Sequence, residues 1–237
     1  MRHFLLQNVF ACAILLLKGV EFMADRLLFI FEIIGVAACA ASGTIAGIKK
    51  HMDAFGVSFL AVISAMGGGI IRDFILGAVP PIAFVKPIYI AVALAVAAVM
   101  FFIHRYFPKH GWGRLHDIVF LYMDSIGLAA FTMVGIKKAI VLFGFSHLFL
   151  ILSTGFITGV GGGILRDVLA GNTPLIFVKY FYACASIIGA VLCMALWNIS
   201  GEAAAMFTGI AVIVALRLCA AHFRWNFFKD RSEEKAE

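Results

Sequence analysis

Charge is scarce in this sequence. Of its 237 residues only 14% are Asp, Glu, Lys or Arg, against 63% hydrophobic residues, and the mean hydropathy is +1.05. A soluble domain carries about one charged residue in four, so water is excluded as the main solvent. Paired cysteines are missing too. Cys12, Cys39, Cys184, Cys193 and Cys219 are scattered without a CxxC, which argues against a disulfide framework or thiolate metal site and makes them small core hydrophobes. His51, His104, His110, His116, His147 and His222 show no ligand spacing, so no metal is expected. There is no HExxH, no GxxxxGK phosphate loop and no Ser–His–Asp set around a glycine elbow. The expectation is a non-enzyme without a cofactor. The net charge of +6 is read as basic cytoplasmic loops rather than as a nucleic-acid surface.

What is present is a series of apolar runs of about 18 residues or more, the length a helix needs to cross a ~30 Å hydrocarbon core. The bilayer admits helices or closed barrels, and runs that are continuous rather than alternating exclude the barrel. The fold class is therefore all-α, a polytopic membrane protein. Spans are expected at 27–48, 57–77, 88–103, 118–136, 148–171, 177–197 and 203–220, followed by a charged tail at 222–237. One set of loops collects Lys49, Lys50, Arg105, Lys109, Arg114, Lys179 and the basic tail; the other holds Arg26, Lys86, Lys137 and Lys138 with Asp25 and Glu202. The richer side is expected in the cytoplasm, with the N-terminus outside the cell inner membrane. Residues 1–22 imitate a signal peptide but carry Lys18 and Glu21 and no small-x-small cleavage site. They read as an extension from an upstream start ahead of Met23, or as an uncleaved interfacial segment.

The chain repeats itself. GGGIIRDFILGAVPPIAFVK at 67–86 returns as GGGILRDVLAGNTPLIFVK at 161–179, and EIIGVAACAASG at 32–43 aligns with DSIGLAAFTMVG at 124–135. Two three-helix units follow, 27–104 and 117–197, with a seventh helix at 203–221 outside the pair. A unit with an odd number of spans, repeated in tandem, inserts the second time upside down, which relates the halves by a pseudo-two-fold axis in the membrane plane.

The candidate site residues are those of the doubled motif: Gly67, Gly68, Gly69, Arg72 and Asp73, and Gly161, Gly162, Gly163, Arg166 and Asp167. Three successive glycines cost about 0.8–1 kcal/mol each in a helix interior. They bend a helix and bare its carbonyls, or they admit a close helix crossing of the GxxxG kind. Gly77 and Gly171, followed by prolines, read as helix stops. Arg and Asp in sequence point about 100° apart on a helix, so exchange across the pseudo-axis is expected, Arg72 with Asp167 and Arg166 with Asp73; the alternative is snorkelling to the interface. Glu32 and Asp124, near the ends of their spans, either attract cations at the two mouths or cap helix ends. Lys49 and Lys50 are expected at anionic lipid heads, Lys86 and Lys179 as interfacial anchors, and Lys138 as an anchor or a pathway residue.

Paired GGGxxRDxxxG segments in a seven-span chain resemble the prokaryotic branch of the trimeric intracellular cation (TRIC) channel family, a branch also known as the bacterial glycine transporter domain family. The resemblance covers roughly 23–220. It implies seven helices, a homotrimer, and permeation of monovalent cations, chiefly K⁺, through a pore inside each protomer. That pore would be interrupted by the glycine-kinked second and fifth spans, so the doubled motif supplies the ion pathway. A secondary transporter of glycine or another small amino acid is the alternative, since inverted repeats suit alternating access equally well.

Overall fold

The computed structural model describes residues 2–106, 112–178 and 181–223; for 2–25, Trp112 and Arg114 it describes the backbone alone. The expectations for the extension 1–22, Lys109, Arg114, Lys179 and the tail beyond Phe223 concern side chains outside the described residues. Among the described residues the chain is all helical: α1 (Arg2–Lys49), α2 (Ala54–Ile75), α3 (Ile82–Val85), α4 (Ile88–Tyr106), α5 (Trp112–Phe143), α6 (Leu148–Leu169), α7 (Leu175–Val178), α8 (Tyr182–Ser200) and α9 (Glu202–His222). Seven segments are long and apolar enough to cross a membrane: Arg26–Lys49 of α1, Leu115–Phe143 of α5, and the whole of α2, α4, α6, α8 and α9.

The helix ends follow local chemistry. Asp53 caps α2 by accepting from the Gly56 N–H at 2.7 Å. Both motif helices stop as expected at a left-handed glycine, Gly77 at φ 69° and Gly171 at φ 66°. In each, the N–H two residues past the cap bonds back to the motif aspartate's carbonyl, Ala78 to Asp73 and Asn172 to Asp167, both at 2.8 Å. This is the Schellman closure, and a residue with a Cβ would strain it.

Two expected boundaries move. The fourth span runs on to Phe143, past Lys137 and Lys138, because those ammonium groups are neutralised by helix neighbours: Lys137 by Glu202, Lys138 by Glu32 at 3.2 Å. The sixth begins at Tyr182, because Phe177 belongs to the short α7.

Helices α1, α2, α5 and α6 form the centre, and their mutual packing is reciprocal. On α1 and α5, a Cβ at Gly35 would press on the Phe131 ring, and one at Gly127 on the Cys39 sulfur; Cys39 and Phe131 are repeat equivalents. On α2 and α6, a Cβ at Gly68 would run into the Thr158 carbonyl, and one at Gly162 into the Ser64 carbonyl. Such reciprocity is the signature of a two-fold relation between the halves. Helix α4 is the least buried span, and its Phe101–Phe102 end, like Phe55, Phe59 and Phe149, presents aromatic surface outward. The seventh span, α9, lies against α8 and α5.

A pair of buried charge clusters as the candidate functional site

The motif glycines run inside unbroken helices, with α2 helical from 54 to 75 and α6 from 148 to 169. The expected interruption of these spans is absent, and the crossing supplies the reason. Gly68, Gly161 and Gly162 let the helices meet backbone to backbone, so that a Cβ at Gly161 would stand 3.2 Å from the Gly68 Cα, while one at Gly67 would run into the Leu165 side chain. The third glycine has a different neighbour, its own motif arginine, with Nη2 3.7 Å from the Cβ position at both Gly69 and Gly163.

The arginines are neither snorkelled nor exchanged across the axis. Arg72 and Arg166 are 2% and 1% exposed. Each folds back on the aspartate next to it, donating from Nε to the carboxylate at 2.8 Å in both halves. The expectation of cross-axis pairs is therefore corrected. The 100° offset constrains Cα–Cβ directions, whereas the long arginine stem bends back far enough to reach its neighbour. Geometry also forbids the exchange: Arg166 reaches Ser42 on α1, ten positions along from the Glu32 of the first cluster, or about 15 Å at 1.5 Å per residue. The two clusters sit towards opposite ends of the bundle.

Each motif aspartate has a second task. Its Oδ2 accepts from the first backbone N–H of the following short helix, Ile82 for Asp73 and Leu175 for Asp167, at 2.9 Å in both cases. One carboxylate thus holds the arginine and fastens the loop that returns the chain toward α4 or α8.

Glu32 and Asp124 are 6% and 3% exposed and lie within α1 and α5, so they neither line open mouths nor cap helix ends. A carboxylate buried among apolar helices requires charged or hydrogen-bonding partners, and both have them. Glu32 accepts from the Tyr89 hydroxyl and pairs with Lys138. Asp124 accepts from Arg166 Nη1 at 2.7 Å, Arg217 Nη2 at 3.2 Å and the Tyr182 hydroxyl at 3.4 Å. Tyr89 and Tyr182 are repeat equivalents that sequence reasoning passed over, although both stand three residues after an FVK. Arg217 was passed over as well, being a lone cation in the last apolar run. Lys138 faces inward, so its anchor reading falls. Lys49, Lys50 and Lys86 are all exposed, and Lys49 pairs with Asp117 at the bundle's end.

Each cluster is charge balanced. Glu32 and Asp73 face Arg72 and Lys138; Asp124 and Asp167 face Arg166 and Arg217. Beside the first lies a cavity of ≈ 30 Å³ lined by Glu32, Gly69, Arg72, Tyr89 and apolar neighbours, room for a water molecule or two. It adjoins an open groove of ≈ 530 Å³ bordered by Asp73, Gly77, Lys86 and Lys138. In the bundle interior, Ser64 Oγ and Thr154 Oγ1 are buried without a protein partner.

A duplicated seven-span bundle with balanced charge at both ends of its core defines a class: pseudo-symmetric helical membrane proteins built from inverted repeats. Known proteins narrow it. A family model described as glycine transporter matches twice, over residues 29–105 and 121–198. The UPF0126 inner membrane protein YadS of Escherichia coli K12 is 35% identical over 84% of this chain and 93% of its own length. YvgT of Bacillus subtilis is 31% identical over 83% and 93%. Among solved structures, one of TRIC cation channels studied for conductance shares 33% identity and a TM-score of 0.73, over 85% of this chain and 96% of that one. A prokaryotic TRIC channel crystallised in 0.5 M KCl shares 26% and 0.78, over 86% and 100%. The TRIC trimeric intracellular cation channel orthologue from Rhodobacter sphaeroides shares 27% and 0.75, over 84% and 98%. The chain belongs to the prokaryotic TRIC channel family and carries the glycine transporter domain twice.

Proposed function

We propose that this protein is a K⁺-permeable monovalent cation channel, assembled as a homotrimer in the cell inner membrane, with one pathway inside each protomer between α2 and α6. The observation that carries this reading is the pair of buried, charge-balanced clusters at opposite ends of one glycine crossing. Intramembrane charge is expensive unless it serves a pathway or a relay. In this reading Gly67–Gly69 and Gly161–Gly163 form the narrowest stretch, closed in this structure by backbone contact. Arg72, Asp73, Arg166 and Asp167 set its field, and Glu32 and Asp124 are the acidic stations at either end. The two units 27–104 and 117–197 supply the two halves, the N-terminus faces out, and the solved TRIC relatives support trimeric assembly. A tethered cation beside each carboxylate weakens its pull on a mobile ion, so selectivity among monovalent cations is expected to be modest.

The test is single-channel recording of purified protein in planar bilayers. Unitary K⁺ currents are expected; silence at every voltage overturns the reading. A secondary carrier of glycine or another small amino acid is the second reading. A carboxylate and a guanidinium line the first cavity, the charge complement of a zwitterion, and at ≈ 30 Å³ that cavity has to widen into the adjoining groove to admit glycine. Saturable, gradient-dependent glycine uptake into proteoliposomes without unitary currents would decide for the carrier.

A further inference from the structure

Three members of each cluster are repeat equivalents: the acid, the motif arginine and the motif aspartate. The fourth is not. In the first cluster it is Lys138, carried by α5 of the opposite unit, whereas in the second it is Arg217, carried by α9, which lies outside both units. Arg217 is 2% exposed, its Nη2 is 3.2 Å from Asp124 Oδ2, and its guanidinium carbon stands 4.4 Å above the centroid of the Tyr182 ring. It is held on one side by charge and on the other by an aromatic face. The second cluster is correspondingly tight. A Cβ at Gly163 would come within 3.1 Å of the Tyr182 hydroxyl, whereas at the equivalent Gly69 the nearest atom is Arg72 Nη2 at 3.7 Å, and that glycine opens on the cavity.

We propose that Arg217 is a tethered counter-ion that occupies the monovalent-cation station at Asp124, so that the seventh helix determines whether that end of the pathway is available. Asp124 Oδ2 and the Tyr182 hydroxyl are hard oxygen ligands of the kind alkali cations take. With the guanidinium in place their charge is already satisfied. A mobile cation enters when Arg217 withdraws, and α9, which belongs to neither unit and packs on α8 and α5, is the element that carries it. This inference rests on the channel reading for its consequence, but not for the cation station itself.

The experiment therefore has two readouts. Purified wild type, R217Q, R217K and the double variant R217Q/D124N are compared for unitary conductance in KCl, and for thermal unfolding in KCl against N-methyl-D-glucamine chloride at equal ionic strength. In R217Q the vacated station binds K⁺: Tm is expected to be about 3–6 °C higher in KCl, as a ligand at roughly tenfold its Kd produces. Wild type and R217Q/D124N should show no such difference. Conductance of R217Q should rise about twofold or more as one barrier is removed. An R217Q protein without K⁺-specific stabilisation, or with wild-type conductance in a wild type that conducts, overturns the proposal. If wild type passes no current, the channel reading fails while the unfolding comparison still decides on the station. If R217Q does not fold, R217K is read instead: its single ammonium cannot keep the guanidinium geometry, a smaller rise in conductance is expected, and wild-type conductance contradicts the proposal.

Discussion

The two charge clusters are built from the same four repeat-equivalent residues and finished differently. In both halves an arginine leans on the aspartate beside it, that aspartate fastens the next short helix, and a tyrosine and an acid from the unit's first helix complete the core. Around Glu32 the fourth charge is a lysine bordering an open groove, and the Tyr89 hydroxyl donates to the acid. Around Asp124 it is a buried arginine, and the tyrosine bond stretches to 3.4 Å. Duplication thus supplied the frame, and the two ends diverged through one cation each. A buried carboxylate here is a fixed requirement, while the identity of its counter-ion is adjustable.

The largest effect is expected where the halves agree. D73N and D167N each leave a buried arginine without its neighbour's charge, a loss of about 3–5 kcal/mol. Thermal unfolding in detergent should show both unstable or unexpressed, D73N the more so, because in D167N Arg166 keeps Asp124 as a second carboxylate; a larger loss in D167N would break the comparison. D117N, at an exposed pair with Lys49, should cost about 0–1 kcal/mol in the same assay.

At the crossing, G68L and G162L are expected to be comparably disruptive, each by roughly 1–3 kcal/mol or more from overpacking, with loss of conductance. The third glycine should separate the halves. G69A fits beside the cavity, whereas G163A presses on Tyr182, so the second should lower Tm more. Smallest is the tyrosine pair. Y89F removes the hydroxyl bond to Glu32 and should cost about 1–2 kcal/mol, while Y182F, losing a long bond to an acid already held by two arginines, should cost less than about 0.5. Equal losses in chemical denaturation would show that the two acids are held alike.

Much of this arrangement was legible beforehand. The repeated GGG, the RD pairs, the aligned acids and the glycine stops together announce duplicated, inverted units, and those are what pack reciprocally at Gly35 and Phe131, Gly127 and Cys39. The partners of the charges were not legible, because helix periodicity gives the direction of a Cβ and not the reach of an arginine stem. The helix end at Lys137–Lys138 was misread because charge in a sequence signals water, whereas here Glu32 and Glu202 supply the neutralising partners from helices distant along the chain. Arg217 breaks no repeat and belongs to none, so no internal comparison could single it out. Its position in the fold reveals its partner. Tyr89 and Tyr182 stood in plain register behind FVK, a signal present but unweighed.

The pathway assignment is tested most directly by the reversal potential in a tenfold KCl gradient, measured for wild type, E32Q and D124N. If both acids are stations on one cation pathway, wild type reverses towards the K⁺ equilibrium potential, about 59 mV for a tenfold ratio, and each variant moves measurably towards zero. Reversal at one unchanged potential in all three proteins would contradict a route that passes through both clusters.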